Sequence, residues 1–258
     1  MIFISFTGGK YLLAGGSVGG VVDEMTEVID LVETDSAPSF GQLPSKRKGA
    51  VGTMLGNAPL LCGGYNRDTC ISYHQDSKRW IQSQTMVSKR DNAAGVKINS
   101  TSFWILGGDD GSSASNMDST EFIIQGQTNG IPGPKLPYGM SSMCAIKISE
   151  NEIFVIGGFD GNYDYRNEVW IYDPQNGFAR TQGPSLILAR CYHSCSTMND
   201  GNKTLIVVAG GYVYNGGLLD SVEIYNPTDN TWHSGKTILK TLFNLIFSNK
   251  NKSEYIAS

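Results

Sequence analysis

A pair of consecutive glycines recurs along the chain, and each pair separates two short apolar runs. The pairs that recur at a regular spacing are Gly15-Gly16, Gly63-Gly64, Gly107-Gly108, Gly157-Gly158 and Gly210-Gly211. Successive pairs lie 48, 44, 50 and 53 residues apart. The runs, such as EIFVI at 152–156 and EVWIY at 168–172, have strand length and are rich in β-branched and aromatic residues. Because two glycines allow a turn in which a Cβ would clash, the pattern predicts one β unit repeated five times.

Aromatic residues recur at a fixed place within the unit. In two repeats a tryptophan follows a tyrosine after seven residues, as in Tyr73 with Trp80 and Tyr225 with Trp232. The fourth repeat keeps Tyr172 but has Phe178 near the tryptophan position, and Phe40 is a candidate substitute in the first. Such rings combine a large apolar body with a polar group, which suits packing between sheets. We therefore expect these residues, like the glycine pairs, to be structural.

The pattern resembles the kelch repeat of β-propeller proteins, which has a period of about 50 residues. The resemblance covers about residues 1–235 and implies an all-β, kelch-type β-propeller of four-stranded antiparallel blades. Five blades are visible, either as a closed ring or as part of a ring of six or seven in a longer protein. The expected repeats are about 1–48, 49–88, 89–138, 139–186 and 187–235. Residues 236–258 lack the pattern and form either a divergent tail or the start of a further blade.

Charge and hydropathy exclude some classes of partner. The chain of 258 residues has a net charge of −4 and only 17% charged residues, so nothing favours binding to nucleic acid or to an anionic membrane. Its longest apolar stretches are too short for a membrane span. We therefore expect a protein partner, of undetermined identity, and leave the oligomeric state open.

The kelch resemblance implies a non-catalytic protein–protein interaction module. Partners of such proteins commonly bind the loops after the glycine pairs and the segments that enter each blade. Tyrosine, phenylalanine and arginine are the residues that most often anchor interfaces. The candidate partner-binding residues of this type are Tyr65, Arg67, Arg90, Phe159, Tyr163, Tyr165, Arg166, Arg190, Tyr212 and Tyr214. The alternative is that the loop rings pack over neighbouring blades, and Arg190 to His193 also resembles a structural arginine-x-x-histidine stretch of kelch repeats.

Two other functions remain as alternatives. Some kelch-type propellers are copper oxidases similar to galactose oxidase or process sugars, and copper needs convergent histidine and tyrosine ligands. The three histidines, His74, His193 and His233, fall on different strands of two non-adjacent repeats, so we predict no catalytic residue, metal site or cofactor. The third hypothesis is a substrate-recognition part of a ubiquitin-ligase adaptor within a longer protein.

The cysteines and sequons bear on the compartment. Cys62 directly precedes a glycine pair and Cys70 begins the next run, so the two could bond if those runs pair as antiparallel strands. Two buried thiols are the alternative. Sequons begin at Asn99, Asn202 and Asn251, whereas residues 1–6 do not resemble a signal peptide. The localisation thus stays undetermined, with an extracellular parent protein favoured over a cytoplasmic one.

Overall fold

Antiparallel sheets make up nearly all of the regular structure. The computed structural model describes residues 2–5, 10–18, 21–30, 40–111, 116–162, 164–201, 203–214 and 216–237. Within these ranges the only helical turn is a 3-10 turn at Pro174–Asn176, and no helix is long and apolar enough to cross a membrane. The chain is thus all-β, as the repeat predicts.

The first three sheets follow one another along the chain. Sheet 1 contains β1 (Ile2–Ser5), β2 (Lys10–Val18) and β3 (Val21–Asp30). Sheet 2 contains β4 (Val51–Leu55), β5 (Ala58–Cys62), β6 (Thr69–His74) and β7 (Arg79–Thr85). Sheet 3 contains β8 (Ala94–Lys97), β9 (Ser102–Leu106), β10 (Thr120–Ile124) and β11 (Ile131–Pro132).

Two further sheets complete the described fold. Sheet 4 contains β12 (Met140–Ser141), β13 (Cys144–Ser149), β14 (Glu152–Asp160), β15 (Tyr165–Asp173) and β16 (Ala179–Gln182), with β12 and β13 both paired to β14. Sheet 5 begins with β17 (Ser194–Asp200) and β18 (Lys203–Ala209). A two-stranded ribbon follows, β19 (Tyr212–Val213) and β20 (Gly217–Leu218), before β21 (Val222–Asn226) and β22 (Thr231–Ser234) finish the sheet.

The chain divides into two compact units. Of the described residues, the first unit holds those up to 111 and 119–135, with sheets 1 to 3, and the second holds 116–118 and 136–237, with sheets 4 and 5. In each unit the apolar core lies between successive sheets. Leu12 and Leu61 belong to the core of sheets 1 and 2, whereas Phe154 and Ile206 belong to that of sheets 4 and 5. Within each unit a sheet therefore buries a face against the sheet next to it in the chain.

Each glycine pair adopts positive φ angles. Gly157 and Gly158 have φ angles of 57° and 107°, and the pairing of β14 with β15 shifts register between Ile156 and Gly158. The close approach of the next segment adds a steric reason. A Cβ on Gly64 would lie 2.6 Å from the Ala50 Cβ and 2.7 Å from the Lys48 carbonyl oxygen. A side chain at this position would therefore both strain the backbone and collide with the chain that enters the sheet.

The aromatic pairs are cross-strand neighbours in sheets 2 and 5. Tyr73 faces Trp80 across β6 and β7, with ring centroids 5.6 Å apart, and the Phe40 ring packs on the same pair at 4.7 Å from Tyr73. In sheet 5 Tyr225 faces Trp232 in the same way, at 5.4 Å.

Sheet 4 replaces the tryptophan by an arginine. Arg180 faces Tyr172 across β15 and β16, and its guanidinium lies 6.0 Å from the centre of the Tyr172 ring and 5.2 Å from that of Trp170. Phe178, the residue near the tryptophan position in sequence, lies instead in the turn at a φ of 59°. A cation–π contact therefore takes the place of an aromatic pair.

Three buried arginines tie successive sheets together. The Arg47 carbonyl accepts a hydrogen bond from the Gly16 N–H of sheet 1 at 2.7 Å, while its guanidinium donates to the Gly63 carbonyl of sheet 2 at 2.5 Å. Arg90 links Gly64 to Gly107, and Arg190 links Gly158 to Gly210, in the same manner. We call these three residues the linking arginines, because each satisfies glycine-pair backbone groups of two sheets.

Two of the linking arginines also have a buried carboxylate partner. Arg90 pairs with Glu121 at 2.7 Å and Arg190 with Glu223 at 2.6 Å, and all four side chains are at least 98% buried. The other oxygen of Glu121 accepts the Val87 N–H at 2.7 Å. In the Arg90–Glu121 pair, burial of both charges is thus matched by hydrogen bonds to both carboxylate oxygens and from the guanidinium, which is what a buried ion pair requires. In the second pair the buried Arg190 Nε has no hydrogen-bond partner among the described residues.

The structure forms two disulfides. Cys62 and Cys70 face each other across β5 and β6 and are bonded, with Cα atoms 4.1 Å apart. Cys144 on β13 is bonded to Cys195 on β17, with Cα atoms 6.1 Å apart, so this bond joins sheet 4 to sheet 5. Cys191 is the remaining cysteine, and it is buried and unbonded.

We predict that loss of the disulfide between sheets costs more stability than loss of the disulfide within sheet 2. The bonded residues are 51 apart for Cys144 and Cys195 but only 8 apart for Cys62 and Cys70. The loop-closure entropy of the unfolded chain then gives about 4 and about 2.5 kcal/mol, respectively. Denaturant unfolding of the two double cysteine-to-alanine variants measures this difference, after peptide mapping of the non-reduced protein. An equal or larger cost for the Cys62–Cys70 pair would contradict the prediction.

A second prediction concerns the linking arginines. Arg90→Met leaves Glu121 buried without its counter-charge, so we expect a loss of about 3–5 kcal/mol in the free energy of unfolding. Arg79→Met, on the exposed start of β7, is the matched control and should change stability by less than about 0.5 kcal/mol. In the double variant Arg90→Met/Glu121→Gln the isolated charge is gone, so its cost should be smaller than the sum of the single costs. Additive costs would show that the pair is not coupled.

Candidate functional site

Five aromatic residues of the second unit come together near the glycine pairs of sheets 4 and 5. We call them the tyrosine cluster: Phe159, Tyr165, Tyr192, Tyr212 and Tyr214. The Phe159 and Tyr165 ring centroids are 5.3 Å apart, and those of Tyr165 and Tyr212 are 5.9 Å apart. Tyr192 and Tyr214 are 42% and 67% exposed, so the outer part of the cluster is open to solvent.

Electrostatics also indicate that the cluster members are neighbours. Burial raises the pKa of Tyr165 well above its ordinary value, and the nearby ionisable groups of Cys191, Tyr212, Tyr192 and Tyr214 raise it further. Tyr165 therefore stays a neutral hydroxyl throughout the physiological range, as a hydrogen-bonding group in a partly apolar surface must.

Backbone contacts hold the loops of the cluster in place. The Tyr192 N–H, at a φ of 54°, donates to the Ser142 carbonyl at 2.9 Å. Cys191 and Tyr212 exchange two backbone hydrogen bonds, at 3.1 and 2.9 Å. Three residues after Tyr192, Cys195 is bonded to Cys144 of sheet 4. The exposed rings therefore project from segments that are anchored on both sheets.

Arg166 belongs to the loop scaffold rather than to the open surface. Its guanidinium forms an ion pair with Asp160, lies within 3.5 Å of a Glu168 oxygen, and covers the Tyr138 ring at 4.9 Å. Burial alone would raise the pKa of Asp160, but hydrogen bonds from Arg166 and two backbone N–H groups lower it below its ordinary value. The predicted partner contact at Arg166 is thus already engaged by carboxylates, and Tyr163 in the same loop lies outside the described residues.

Tyr65 and Arg67 are predicted partner residues in a glycine-pair loop of the first unit. Tyr65 is 47% exposed, and its N–H donates to the Lys48 carbonyl at 3.0 Å. Arg67 is half-buried, and its carbonyl accepts the Arg90 N–H at 3.2 Å. Tyr65 therefore offers an accessible ring on an anchored loop. The Arg67 backbone, in contrast, holds the segment that contains Arg90.

The prediction that Arg90 and Arg190 contact a partner is wrong. Their side chains are 1% and 0% exposed, and they donate to glycine-pair carbonyls and to buried glutamates. A partner cannot reach them without breaking these bonds. The sequence signal that could have identified them is a glutamate later in the same repeat, 31 residues after Arg90 in repeat three and 33 residues after Arg190 in repeat five.

The described residues were predicted to contain no metal site, and the histidines bear on that prediction. Within them, no group of three or more histidine, cysteine, aspartate or glutamate side chains could hold a metal ion. His74 is exposed on β6, His193 is buried, and His233 pairs with Asp229 at 2.9 Å. An open cleft of about 580 Å3 lies at the turns of sheets 2 and 3, and its lining includes Asn57 and Gln125.

Comparison with known proteins defines the class and then the repeat family. The solved structure entitled "Structure of YjhT" matches with a TM-score of 0.69 and 14% identity, over 90% of this chain and 82% of that chain. Such a likeness shows the fold, a kelch-type β-propeller. The kelch motif model matches residues 140–177 and 189–237, so the chain carries kelch repeats in sheets 4 and 5.

The comparisons identify a fold and a repeat but not a function. No curated protein matches the sequence significantly. Among solved structures 328 chains match, which marks the fold as a common one. Because common folds carry unrelated functions, the function of the chain depends on the side chains of its site.

We predict that His193 makes the stability of the folded chain sensitive to acid. Burial, and then the positive charge of Arg190, lower its pKa from 6.5 to about 3. Between these values the unfolded chain binds a proton that the folded chain does not, so stability falls as the pH is lowered from 6.5 towards 3. The expected slope is about 1.4 kcal/mol per pH unit. Unfolding of His193→Gln across this range should lack that component, while His74→Gln, an exposed control, should keep it. Identical slopes for all three proteins would exclude His193 as the cause.

Proposed function

We propose that the chain is a non-catalytic protein-binding module and that the tyrosine cluster is its main contact surface. The carrying observation is the packing of aromatic rings from two consecutive kelch repeats, with Tyr192 and Tyr214 left 42% and 67% exposed. The aromatic composition of the loops predicted such a surface, and the two-repeat origin of the rings supports it.

The chemistry of the cluster suits a protein partner. Tyrosine offers a large apolar face and a hydroxyl with little loss of side-chain entropy, which makes it a frequent hot-spot residue. Here the rings also support one another, and their loops are fixed by backbone hydrogen bonds and a disulfide. Preorganisation of this kind reduces the entropic cost of binding.

The charged groups beside the cluster carry an excess of negative charge. Arg166 pairs with Asp160 and lies 3.7 Å from an Asp164 oxygen and 3.5 Å from a Glu168 oxygen, so one cation faces three carboxylates. A partner segment of apolar side chains with backbone carbonyl groups, which accept hydrogen bonds from tyrosine hydroxyls, would therefore fit better than a strongly acidic one. Tyr65 supplies an additional accessible ring in the first unit.

The proposal predicts hot spots at the exposed tyrosines. A photo-crosslinking amino acid at position 214 should capture a partner that the same group at Ile81, 43% exposed on β7, does not capture. With that partner purified, Tyr214→Ala or Tyr192→Ala should weaken the Kd by about 10- to 30-fold, or about 1.4–2 kcal/mol, because an exposed ring at the centre of an interface is lost.

The control is Ile81→Ala, which should leave the Kd unchanged, and all variants should keep the wild-type melting temperature. Wild-type affinity in both tyrosine variants would refute the assignment of the surface. Turnover of a small molecule that depends on these tyrosines would refute the non-catalytic part.

A further inference from the structure

The Asn99 side chain lies in an exposed turn, where it is accessible to covalent modification. It lies, with Ser100 and Thr101, in the exposed turn that joins β8 to β9, at the opposite end of β9 from Gly107-Gly108. All three side chains of the sequon Asn99-Ser100-Thr101 are exposed. The site is therefore separated from the glycine-pair loops of the same sheet by the full length of a strand.

The geometry of the turn leaves the reactive nitrogen accessible. The Thr101 N–H and hydroxyl both donate to the Asn99 Oδ1, at 2.9 and 3.1 Å. Asn99 Nδ2 donates to no residue in the described part of the chain. The asparagine is thus held by its oxygen, while its nitrogen faces solvent.

The turn could carry a large group without loss of internal contacts. The Ser100 carbonyl accepts the Gly56 N–H at 2.8 Å, and the Thr101 carbonyl accepts the Gln125 N–H at 2.8 Å. These two carbonyl groups are satisfied by neighbouring turns and the Thr101 N–H by Asn99 Oδ1, so none of these bonds uses Asn99 Nδ2. A substituent on Nδ2 would extend into solvent and disturb none of these bonds.

The cysteines independently indicate the compartment in which such a modification occurs. Four of the five cysteines form the bonds Cys62–Cys70 and Cys144–Cys195, and only Cys191 is unbonded. Structural disulfides persist in oxidising compartments, and asparagine-linked glycans are added to proteins that enter the secretory route. Neither observation depends on the other.

We propose that Asn99 is an N-glycosylation site and that the chain matures in an oxidising, secretory compartment. In the reaction, a C–N bond forms between the anomeric carbon of a lipid-diphosphate-linked oligosaccharide and Asn99 Nδ2. The bond from that carbon to the lipid diphosphate breaks, the diphosphate leaves with the electron pair, and Nδ2 loses one proton. The proposal is separate from the protein-binding role, because it involves no residue of the tyrosine cluster.

The test is expression of the full chain behind a signal sequence in a glycosylating cell, with Asn202 and Asn251 replaced by glutamine. In this background an N-glycosidase-sensitive mobility shift reports on Asn99 alone. We expect the shift, together with conversion of Asn99 to aspartate in the peptide released by the enzyme. Asn99→Gln and Thr101→Ala should abolish it, while Ser100→Ala, the matched control inside the sequon, should retain it.

Both the secreted and the cell-retained protein are assayed, so that failure of secretion does not obscure the result. Non-reducing peptide mapping of the same samples reports the two disulfides. Absence of the shift from both pools, or its persistence in Asn99→Gln, overturns the glycosylation site. Free thiols at all five cysteines of the signal-directed chain overturn the assigned compartment. The Tyr214→Ala variant should be glycosylated normally, which keeps this test distinct from that of the binding surface.

Discussion

The fold depends on hydrogen bonds to the buried carbonyl groups of the glycine pairs, which water does not reach. In three of the connecting segments an arginine supplies them, since each guanidinium donates to a glycine carbonyl and to groups on the adjacent strand. An unsatisfied buried carbonyl is costly, and so is an unpaired buried cation. In sheets 3 and 5 the arginine satisfies the carbonyl group, and a buried glutamate pairs with the arginine. Arg47, the linking residue before sheet 2, has no such carboxylate partner among the described residues. Burial and then Arg67 lower the pKa of Arg47 to about 10.

Sheet 4 departs from this scheme, and the departure coincides with the proposed binding surface. Tyr138 precedes sheet 4 at the place where an arginine precedes sheets 2, 3 and 5, and Arg166 from within sheet 4 lies over the Tyr138 ring. Arg166 also takes the charges of Asp160 and Glu168. These contacts fix the loop before Tyr165. The residues that replace the linking arginine in sheet 4 therefore also position the aromatic surface.

The sequence predicted the sheets well because glycine pairs and strand-length runs are local signals. It predicted the Tyr73–Trp80 neighbours for the same reason, since seven residues span one hairpin. Arg90 and Arg190 were misassigned because the properties that let arginine anchor an interface also let it bridge two sheets, and only burial separates these roles. The Cys144–Cys195 bond joins different repeats, and no local pattern specifies which repeats meet. Tyr192 was missed because it enters the cluster from the connecting segment.

Each linking arginine uses its own backbone for one sheet and its side chain for the next, and this sets the size of the smallest self-sufficient piece of the chain. A single repeat cut out at its glycine pair would leave either the carbonyl or the guanidinium without a partner. Two adjacent sheets with their connecting segment keep both. Gene duplication or limited proteolysis should therefore conserve pairs of sheets, with energetic coupling between nearest neighbours, as in other repeat proteins.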